Sequence, residues 1–386
     1  MSSPISTFSF PTATLFGPGA IAELPVRVRQ MGGRRPLVVT DPGVLQTQAF
    51  ETLANTLGSK DLGQTWELFN GVHSNPTEQD VVDAAKAFSE TKCDCVIAFG
   101  GGSALDVGKA CRLLVKRPTL KLSKFNMHDD WSGLPRCVCI PTTAGTGSEV
   151  GRSSVITLAG TQRRSVIFLP RLLAKLVILD PKLTTDLPPK LTAATGLDAL
   201  THCIESFTSP VFQPFCDGIA LEGIHLIVEA LPIAFKNGAD LDARGKMLAA
   251  AAMGGVAFQK DLGATHSLAH PLSALCGMHH GTANAICLPH VMAFNSQRKP
   301  GLYRRVGLAC GLDLNKLSPP EADRQTIDFI RKFNAGLGLA EGLRASGVKE
   351  SQIEALTNQA FEDQCHLTNP VPVKHDDLKA LYLAAL

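Results

Sequence analysis

The chain carries little net charge and has neither a long apolar run nor a leader-like start. Its 37 basic and 35 acidic residues leave a formal charge of +2, so its long-range field gives no general attraction to nucleic acid or anionic membranes. No uninterrupted apolar stretch reaches the roughly 18 to 20 residues of a membrane span. Residues 1–8 lack a basic start followed by an apolar run, so no secretory signal is predicted.

Several common nucleotide signatures are also missing. The chain contains no Gly-x-Gly-x-x-Gly fingerprint, and it has no Walker loop, because Gly102 precedes Gly108-Lys109 by six positions and Ala110 replaces the serine or threonine. ATP hydrolysis is therefore disfavoured. Neither Tyr303 nor Tyr382 is followed four positions later by lysine, which excludes the Tyr-x-x-x-Lys arrangement of short-chain dehydrogenases.

The eleven cysteines are odd in number and scattered. Cys93 and Cys95, like Cys137 and Cys139, are separated by one residue within predicted strands, so each pair faces one side of its strand. We interpret them as core residues rather than zinc ligands. Buried free thiols in this number are typical of a reducing compartment, so we expect a cytoplasmic protein.

Apolar runs and helical patterns alternate in the first half of the chain. The helices are predicted at 77–90 and 104–116, with Thr77 as a cap, and the strands at 36–40, 66–69, 95–99, 137–140 and 176–179. This alternation predicts a parallel sheet covered on both faces. From Pro188 the strand runs disappear, and helices are predicted at 191–206, 217–236, 243–258 and 281–295. We expect an α/β nucleotide-binding domain at 1–187 and an all-α metal domain at 188–386.

Two glycine-rich segments directly follow predicted strands. The first contains Gly101, Gly102 and Ser103 and opens a predicted helix, whose free N–H groups favour a phosphate. The second, 141–149, offers hydroxyls and glycines suited to a ribose or a nicotinamide amide. A single run of glycines is more often only a tight turn. Two such segments at the carboxyl ends of parallel strands favour a dinucleotide site.

Asp41 ends the first clear strand. A carboxylate there can accept hydrogen bonds from an adenosine ribose and repel a 2′-phosphate, which favours NAD over NADP. The alternative role is a cap for the segment that follows Pro42, and the sequence does not decide between them.

One aspartate and several histidines of the second half have the spacing of metal ligands. Asp198 and His202 are four apart, as are His266 and His270, so each pair shares a helix face, and His280 follows ten residues later. A carboxylate and imidazoles suit iron or zinc. An isolated histidine on an apolar helix is usually a packed core residue, and the spacing does not decide which three histidines would be ligands.

Taken together, these motifs resemble the iron-containing (group III) alcohol dehydrogenases. The resemblance runs from Leu15 to about Gly311 and rests on segments 75–77, 100–103, 142–149, 196–202, 266–281 and 288–295. It implies an α/β nucleotide-binding domain followed by a helical metal domain, as in the dehydroquinate synthase-like architecture. It also implies a homodimer or a larger homo-oligomer.

The resemblance assigns roles to individual residues. It implies that Asp198, His202, His266 and His280 bind Fe²⁺, with Zn²⁺ as an alternative, and that His270 carries a proton beside a small alcohol or aldehyde. It implies NAD as the cofactor, with NADP disfavoured through Asp41. The implied cofactor contacts are Asn75, Gly101, Gly102, Ser103, Thr142, Thr143 and Ser148.

The chain departs from the family pattern at Val150-Gly151-Arg152, where Val-Thr-Pro is common, and this leaves the substrate open. Four alternatives are less favoured. A lyase of the dehydroquinate synthase type needs several basic residues, of which the helical half offers few near the metal motifs, and a maleylacetate reductase lacks the ligand set to which Asp198 belongs. A metallohydrolase would leave the glycine-rich segments unexplained. A silent binding protein would leave both the metal motif and the nucleotide motifs unexplained.

Overall fold

The structure is a computed structural model that describes residues 12–58, 65–160, 164–339 and 342–386. The chain forms two compact units. An α/β unit comprises the described residues of 11–187 together with 238–248, and a helical unit comprises those of 188–237 and 249–386.

A six-stranded parallel sheet forms the centre of the α/β unit. Its strands are β1 (Ala13–Phe16), β2 (Pro36–Val39), β3 (Glu67–Phe69), β4 (Cys95–Gly100), β5 (Arg136–Pro141) and β8 (Leu176–Leu179). Their spatial order is β1-β8-β5-β4-β2-β3. The strand order reverses between β2 and β4, and such a switch point is where open α/β sheets bind ligands, beyond the carboxyl ends of the strands.

Four helices accompany these strands: α1 (Leu24–Gln30), α2 (Gln48–Leu57), α3 (Glu78–Glu90) and α4 (Gly102–Lys116). Thr77 caps α3 as predicted, since its Oγ1 accepts from the Asp80 N–H at 3.3 Å and Asp80 accepts from the Thr77 N–H at 3.1 Å. β4 is buried along its whole length, as expected of a strand covered on both faces.

A hairpin outside the main sheet was not predicted. Its strands, β6 (Ser153–Thr157) and β7 (Arg164–Phe168), pair antiparallel. Of the cysteines expected in strands, Cys95, Cys137 and Cys139 lie there, but the prediction is wrong for Cys93, a buried residue that follows the turn between α3 and β4. The turn forms because the Cys93 N–H donates back to the carbonyl of Phe88 at the end of α3.

The rest of the described chain is helical, as predicted, and contains no strand after β8. The helices are α5 (Pro189–Thr208), α6 (Pro214–Lys236), α7 (Leu241–Ala257), α8 (Ala264–Cys276), α9 (His280–Arg298), α10 (Arg304–Ala309), α11 (Pro319–Gly336), α12 (Ile353–Glu362) and α13 (His375–Ala385). The first turns of α7 belong to the α/β unit, because the Arg244 guanidinium donates to the carbonyls of Gly238 and Leu187.

By length and composition alone, α6 could cross a membrane. It carries Asp217, Glu222 and Glu229, and its buried residues recur every three or four positions. Gly223 lies on this buried face, where an added Cβ would stand 2.7 Å from the Cys203 Sγ of α5. We therefore interpret α6 as a helix of the packed core.

Candidate metal centre

Helix α5 brings Asp198 and His202 together inside the helical unit. They lie one turn apart and are only 3% and 5% exposed. Burying a carboxylate and an imidazole without charge-compensating or hydrogen-bonding partners is costly. The neighbouring helices therefore have to supply such partners.

Helices α8 and α9 supply three histidines. His266 and His270 lie one turn apart on α8, and His280 is the first residue of α9. Ligand atoms of Asp198, His202 and His266 all lie within 4.8 Å of one another. The His280 Nε2 is 3.6 Å from the Asp198 Oδ1, and the His202 and His266 rings stack with centroids 4.7 Å apart. We call Asp198, His202, His266 and His280 the donor cluster.

Glu205 holds one member of the donor cluster in place. Its Oε2 lies 2.6 Å from the His266 Nδ1, and its carboxylate also accepts the backbone N–H groups of Gly263 and Thr265 at the start of α8. Burial alone would raise the pKa of Glu205, but the His266 imidazole and the hydrogen bond from Thr265 hold that pKa below its usual value. An ionised Glu205 fixes the proton of His266 on Nδ1 and leaves Nε2 as a ligand atom.

Asn284 contacts the donor cluster from α9, one turn after His280. Its Nδ2 donates to the Asp198 Oδ1 at 2.7 Å and lies 3.2 and 3.3 Å from the Nε2 atoms of His266 and His280. The Asn284 Oδ1 is buried with no hydrogen-bond partner among the described residues. The carboxylate and imidazole ligand atoms of the donor cluster lie together beside this unsatisfied oxygen. Such a set of oxygen and nitrogen ligands fits a divalent cation of the iron or zinc type.

His270 lies at the edge of the donor cluster and is partly accessible. Its ring stacks on that of His280, with centroids 5.3 Å apart and planes 10° from parallel. Its side chain is 16% exposed, and its Nδ1 is 2.8 Å from the Asp363 Oδ2. His279, the neighbour of His280 in the sequence, is exposed just before α9 begins.

In the α/β unit, the expected phosphate loop and the second glycine-rich segment lie side by side. A Cβ on Gly102 would stand 2.6 Å from the Thr146 side chain, and one on Gly101 would stand 3.7 Å from that of Thr143. The Thr142 N–H donates to the Gly100 carbonyl at 3.0 Å. Gly100 has a φ of +139° and ends β4 at the switch point of the sheet, so the backbone there is open to a ligand.

Asp41 lies across the same switch point. Its Oδ1 accepts from the N–H groups of Gly43 and Val44 at 2.9 and 3.0 Å, which is the capping role that the sequence offered as an alternative. Its Oδ2 would be 3.4 Å from a Cβ on Gly100, so the second oxygen faces the end of β4. Both roles are compatible with this geometry, because they use different oxygens.

The other expected cofactor residues differ in their exposure and in their hydrogen-bond partners. Asn75 is exposed, and the Ser103 hydroxyl donates to the Ser74 carbonyl at 2.7 Å. Ser148 is buried, and its hydroxyl donates to the Asp106 Oδ1 at 2.6 Å, which directs it into the protein. Asp106 also lies 3.3 Å from the Nζ of Lys109, a fully buried lysine.

Sequence reasoning missed four residues that support the two sites: Glu205, Asn284, Asp363 and Lys109. Two of them carried a local signal, because Glu205 follows His202 by three positions and Asn284 follows His280 by four. Asp363 lies 93 residues from His270, so no helical spacing links the pair.

Fold and site together define a metal-dependent oxidoreductase with a separate nucleotide-binding unit. An iron-containing alcohol dehydrogenase model matches residues 11–181, and the C-terminal model of the Fe-containing alcohol dehydrogenase family matches 192–386. The chain therefore belongs to the iron-containing alcohol dehydrogenases, which confirms the resemblance, the expected architecture and the enzyme class.

Individual relatives are similar over their full length. A 4-hydroxybutyrate dehydrogenase of Cupriavidus necator is 36% identical over 379 residues, which cover 94% of this chain and 95% of that protein. An NAD-dependent methanol dehydrogenase of Bacillus methanolicus is 32% identical, with 99% and 100% covered. The crystal structure of a 1,3-propanediol oxidoreductase superposes with a TM-score of 0.94 at 33% identity, covering 99% of this chain and 100% of that one.

Proposed function

We propose that this protein is an NAD-dependent alcohol dehydrogenase that interconverts a small alcohol and its aldehyde or ketone. Residues 1–187 would form the nucleotide-binding domain and 188–386 the metal domain, except that 238–248 pack with the former. Asp198, His202, His266 and His280 would bind Fe²⁺, with Zn²⁺ as the alternative. The observation that carries the proposal is this mostly buried donor cluster, in which the His266 Nδ1 lies 2.6 Å from the Glu205 Oε2.

The groups of the helical unit would divide the chemistry among them. A divalent ion in the donor cluster supplies Lewis acidity, which stabilises negative charge on a substrate oxygen. Glu205 keeps the His266 Nε2 unprotonated, and Asn284 orients the Asp198 carboxylate. His270, at the accessible edge of the cluster, would take the hydroxyl proton of the alcohol.

The α/β unit would hold the cofactor, and NAD would supply the hydride acceptor. We assign the pyrophosphate to the first turn of α4, where Gly101, Gly102 and Ser103 present backbone N–H groups. Thr142, Thr143, Asn75 and Ser148 would contact the rest of the cofactor, and the hydrogen bond from the Ser148 hydroxyl to Asp106 would fix the second loop. The free Asp41 oxygen would select NAD over NADP.

One experiment tests the class and the substrate together. Protein purified without oxygen is analysed for iron and zinc and then assayed for NAD reduction with methanol, 1,3-propanediol and 4-hydroxybutyrate. We expect about one divalent ion per chain and net NADH formation. A lyase that regenerates its NAD would release no NADH.

The metal assignment has its own test. His266→Ala is expected to lose metal and turnover together, because one imidazole ligand disappears. Normal metal content in this variant would exclude His266 as a ligand.

The charge balance and thiol content fit a cytoplasmic enzyme, and the family fits a homodimer or a larger homo-oligomer. Sedimentation of the purified protein tests the oligomeric state.

A further inference from the structure

His270 and Asp363 form a hydrogen-bonded pair at the edge of the donor cluster. Asp363 directly follows α12, and its Oδ2 lies 2.8 Å from the His270 Nδ1 on α8. The two side chains are 16% and 17% exposed, so solvent reaches the pair only partly. Asp363 is not a member of the donor cluster, and the chemistry assigned so far does not use it.

Two further groups hold the Asp363 carboxylate from its other side. The Ser267 hydroxyl and the Cys365 N–H both donate to Oδ1, at 2.9 and 2.8 Å. The Ser267 hydroxyl oxygen in turn accepts from the His366 N–H at 2.8 Å, which fixes its direction. The two oxygens of Asp363 therefore have different partners, since Oδ1 anchors the carboxylate while Oδ2 faces His270.

The charge state of Asp363 supports the same arrangement. Burial alone would raise its pKa, but the neighbouring His270 and the hydrogen bonds from His270, Cys365 and Ser267 hold the pKa well below its usual value. Asp363 is thus ionised and can only accept hydrogen bonds. The His270 Nδ1 must carry a proton to face this carboxylate, and in the neutral ring this is the only N–H, so Nε2 has a free lone pair.

We propose that Asp363 is a positioning residue that sets the tautomer and orientation of His270 for proton transfer. The proposal rests on the proposed function, in which alcohol and NAD⁺ yield aldehyde, NADH and one proton. The hydride carries two electrons to NAD⁺, and the hydroxyl proton moves to the His270 Nε2. Asp363 stabilises the imidazolium that forms, until the proton leaves to solvent from the exposed edge of the ring.

Asp363→Asn is an informative variant because the Ser267 hydroxyl and the Cys365 N–H both donate to Oδ1 and so determine the orientation of the new amide. The Cys365 N–H can only donate, so the asparagine must keep its carbonyl oxygen there and turn its NH₂ group toward His270. His270 must then accept at Nδ1 and carry its proton on Nε2. In this tautomer it cannot receive the hydroxyl proton.

The experiment compares metal-loaded wild type, His270→Ala, Asp363→Asn and the double variant. We expect His270→Ala and Asp363→Asn each to lower kcat about 10²-fold or more, with KM for the alcohol changed much less. The double variant should be no slower than His270→Ala, because Asp363 acts through His270. Metal content should stay at the wild-type level in all four proteins.

A matched control removes another buried, multiply bonded carboxylate of the helical unit. Asp323, in α11, accepts from Ser296, Gly301 and Tyr303. Asp323→Asn is expected to lower stability while leaving kcat of the folded enzyme unchanged. An equal loss of kcat in this control would mean that Asp363 is merely structural.

A readout independent of turnover is the tautomer of His270, measured by ¹⁵N NMR on histidine-labelled protein and assigned with His270→Ala. We expect Nδ1–H in wild type and Nε2–H in Asp363→Asn. The proposal is overturned if Asp363→Asn leaves the His270 tautomer unchanged or loses its bound metal. It is also overturned if the losses in kcat of the two single variants multiply in the double variant. If wild type forms no NADH, the proposed function fails, but the NMR comparison still tests the pair.

Discussion

Gly281 packs directly against the backbone carbonyl of Ala194. A Cβ on Gly281 would stand 2.0 Å from the Ala194 oxygen and 3.2 Å from the Asp198 Cβ, and the first of these distances is closer than any real contact. The start of α9 can therefore approach α5 only because residue 281 has no side chain. This approach brings His280, the preceding residue, to 3.6 Å from Asp198.

Gly281→Ala is accordingly expected to separate α9 from α5. Forcing a methyl group into a packed contact costs about 1–3 kcal/mol of stability, and here it also moves His280 away from Asp198. We expect lower thermal stability together with weaker metal binding, measured by thermal unfolding and metal titration. The control is Gly218→Ala on α6, where an added Cβ meets nothing within 4 Å. It should keep metal affinity and stabilise the helix by about 0.5–1 kcal/mol.

Glu205→Gln tests how much the carboxylate behind His266 contributes to metal binding. A glutamine keeps one acceptor for the start of α8 but no longer fixes the proton of His266 on Nδ1. We expect metal affinity to fall about 10–100-fold, measured by competition with a chelator of known affinity.

The matched control is Glu78→Gln in the α/β unit. Glu78 is also buried and accepts two backbone N–H groups, from Leu122 and Ala159, but it contacts none of the donor cluster histidines. This variant should lose stability and keep its metal affinity. Equal metal affinity in wild type and Glu205→Gln would exclude a role for Glu205 in metal binding.

How much of this fold can be predicted from sequence depends on burial. β2, β4, β5 and β8 are mostly buried on both faces, so they read as continuous apolar runs. β1 is short and mostly exposed, and β7 has one buried residue, Ile167, so neither gives a clear apolar period. β6 does alternate between buried and partly buried positions, but its first two residues are serines, so it forms no apolar run and the hairpin β6–β7 was not predicted.

In the candidate site, contacts within one helix can be predicted from sequence, whereas contacts between distant segments cannot. Asp198 and His202 share a helix face, so their spacing of four predicts that they lie close together. The pairing of His270 with Asp363 depends on how α8 packs beside the end of α12, and no local pattern reports such a contact. Ser148 illustrates a further limit, because its motif resembles a cofactor contact but does not indicate that its hydroxyl donates to Asp106, 42 residues away along the chain.

The two roles of Asp41 can be separated by comparing Asp41→Asn with Asp41→Gly. Asparagine retains an acceptor for the Gly43 and Val44 N–H groups but removes the charge, whereas glycine removes both. If the charge selects NAD, both variants should gain activity with NADP relative to NAD, because the repulsion of the 2′-phosphate is lost. Only the glycine variant should also lose about 1 kcal/mol of stability. Cofactor selectivity that is unchanged in both variants would reject the selective role.

Glu149 makes a pH dependence of stability testable. It is buried beside the Lys109–Asp106 pair, and burial raises its pKa from the ordinary 4.5 to about 7. The folded protein therefore holds this proton more tightly than the unfolded chain, so its stabilising contribution is full below about pH 4.5 and is lost as the pH rises through 7. Glu149→Gln cannot ionise and escapes this loss.

Between about pH 5 and 7, wild type should therefore lose unfolding free energy relative to Glu149→Gln. This difference between the two proteins should become constant above about pH 7.5. A shift from 4.5 to about 7 corresponds to on the order of 3 kcal/mol, at about 1.36 kcal/mol for each pKa unit. Urea denaturation of both proteins at a series of pH values measures this difference, and all other titrating groups cancel because the two chains share them. A difference that stays constant from about pH 5 to 8 would show that Glu149 does not retain its proton in the folded protein.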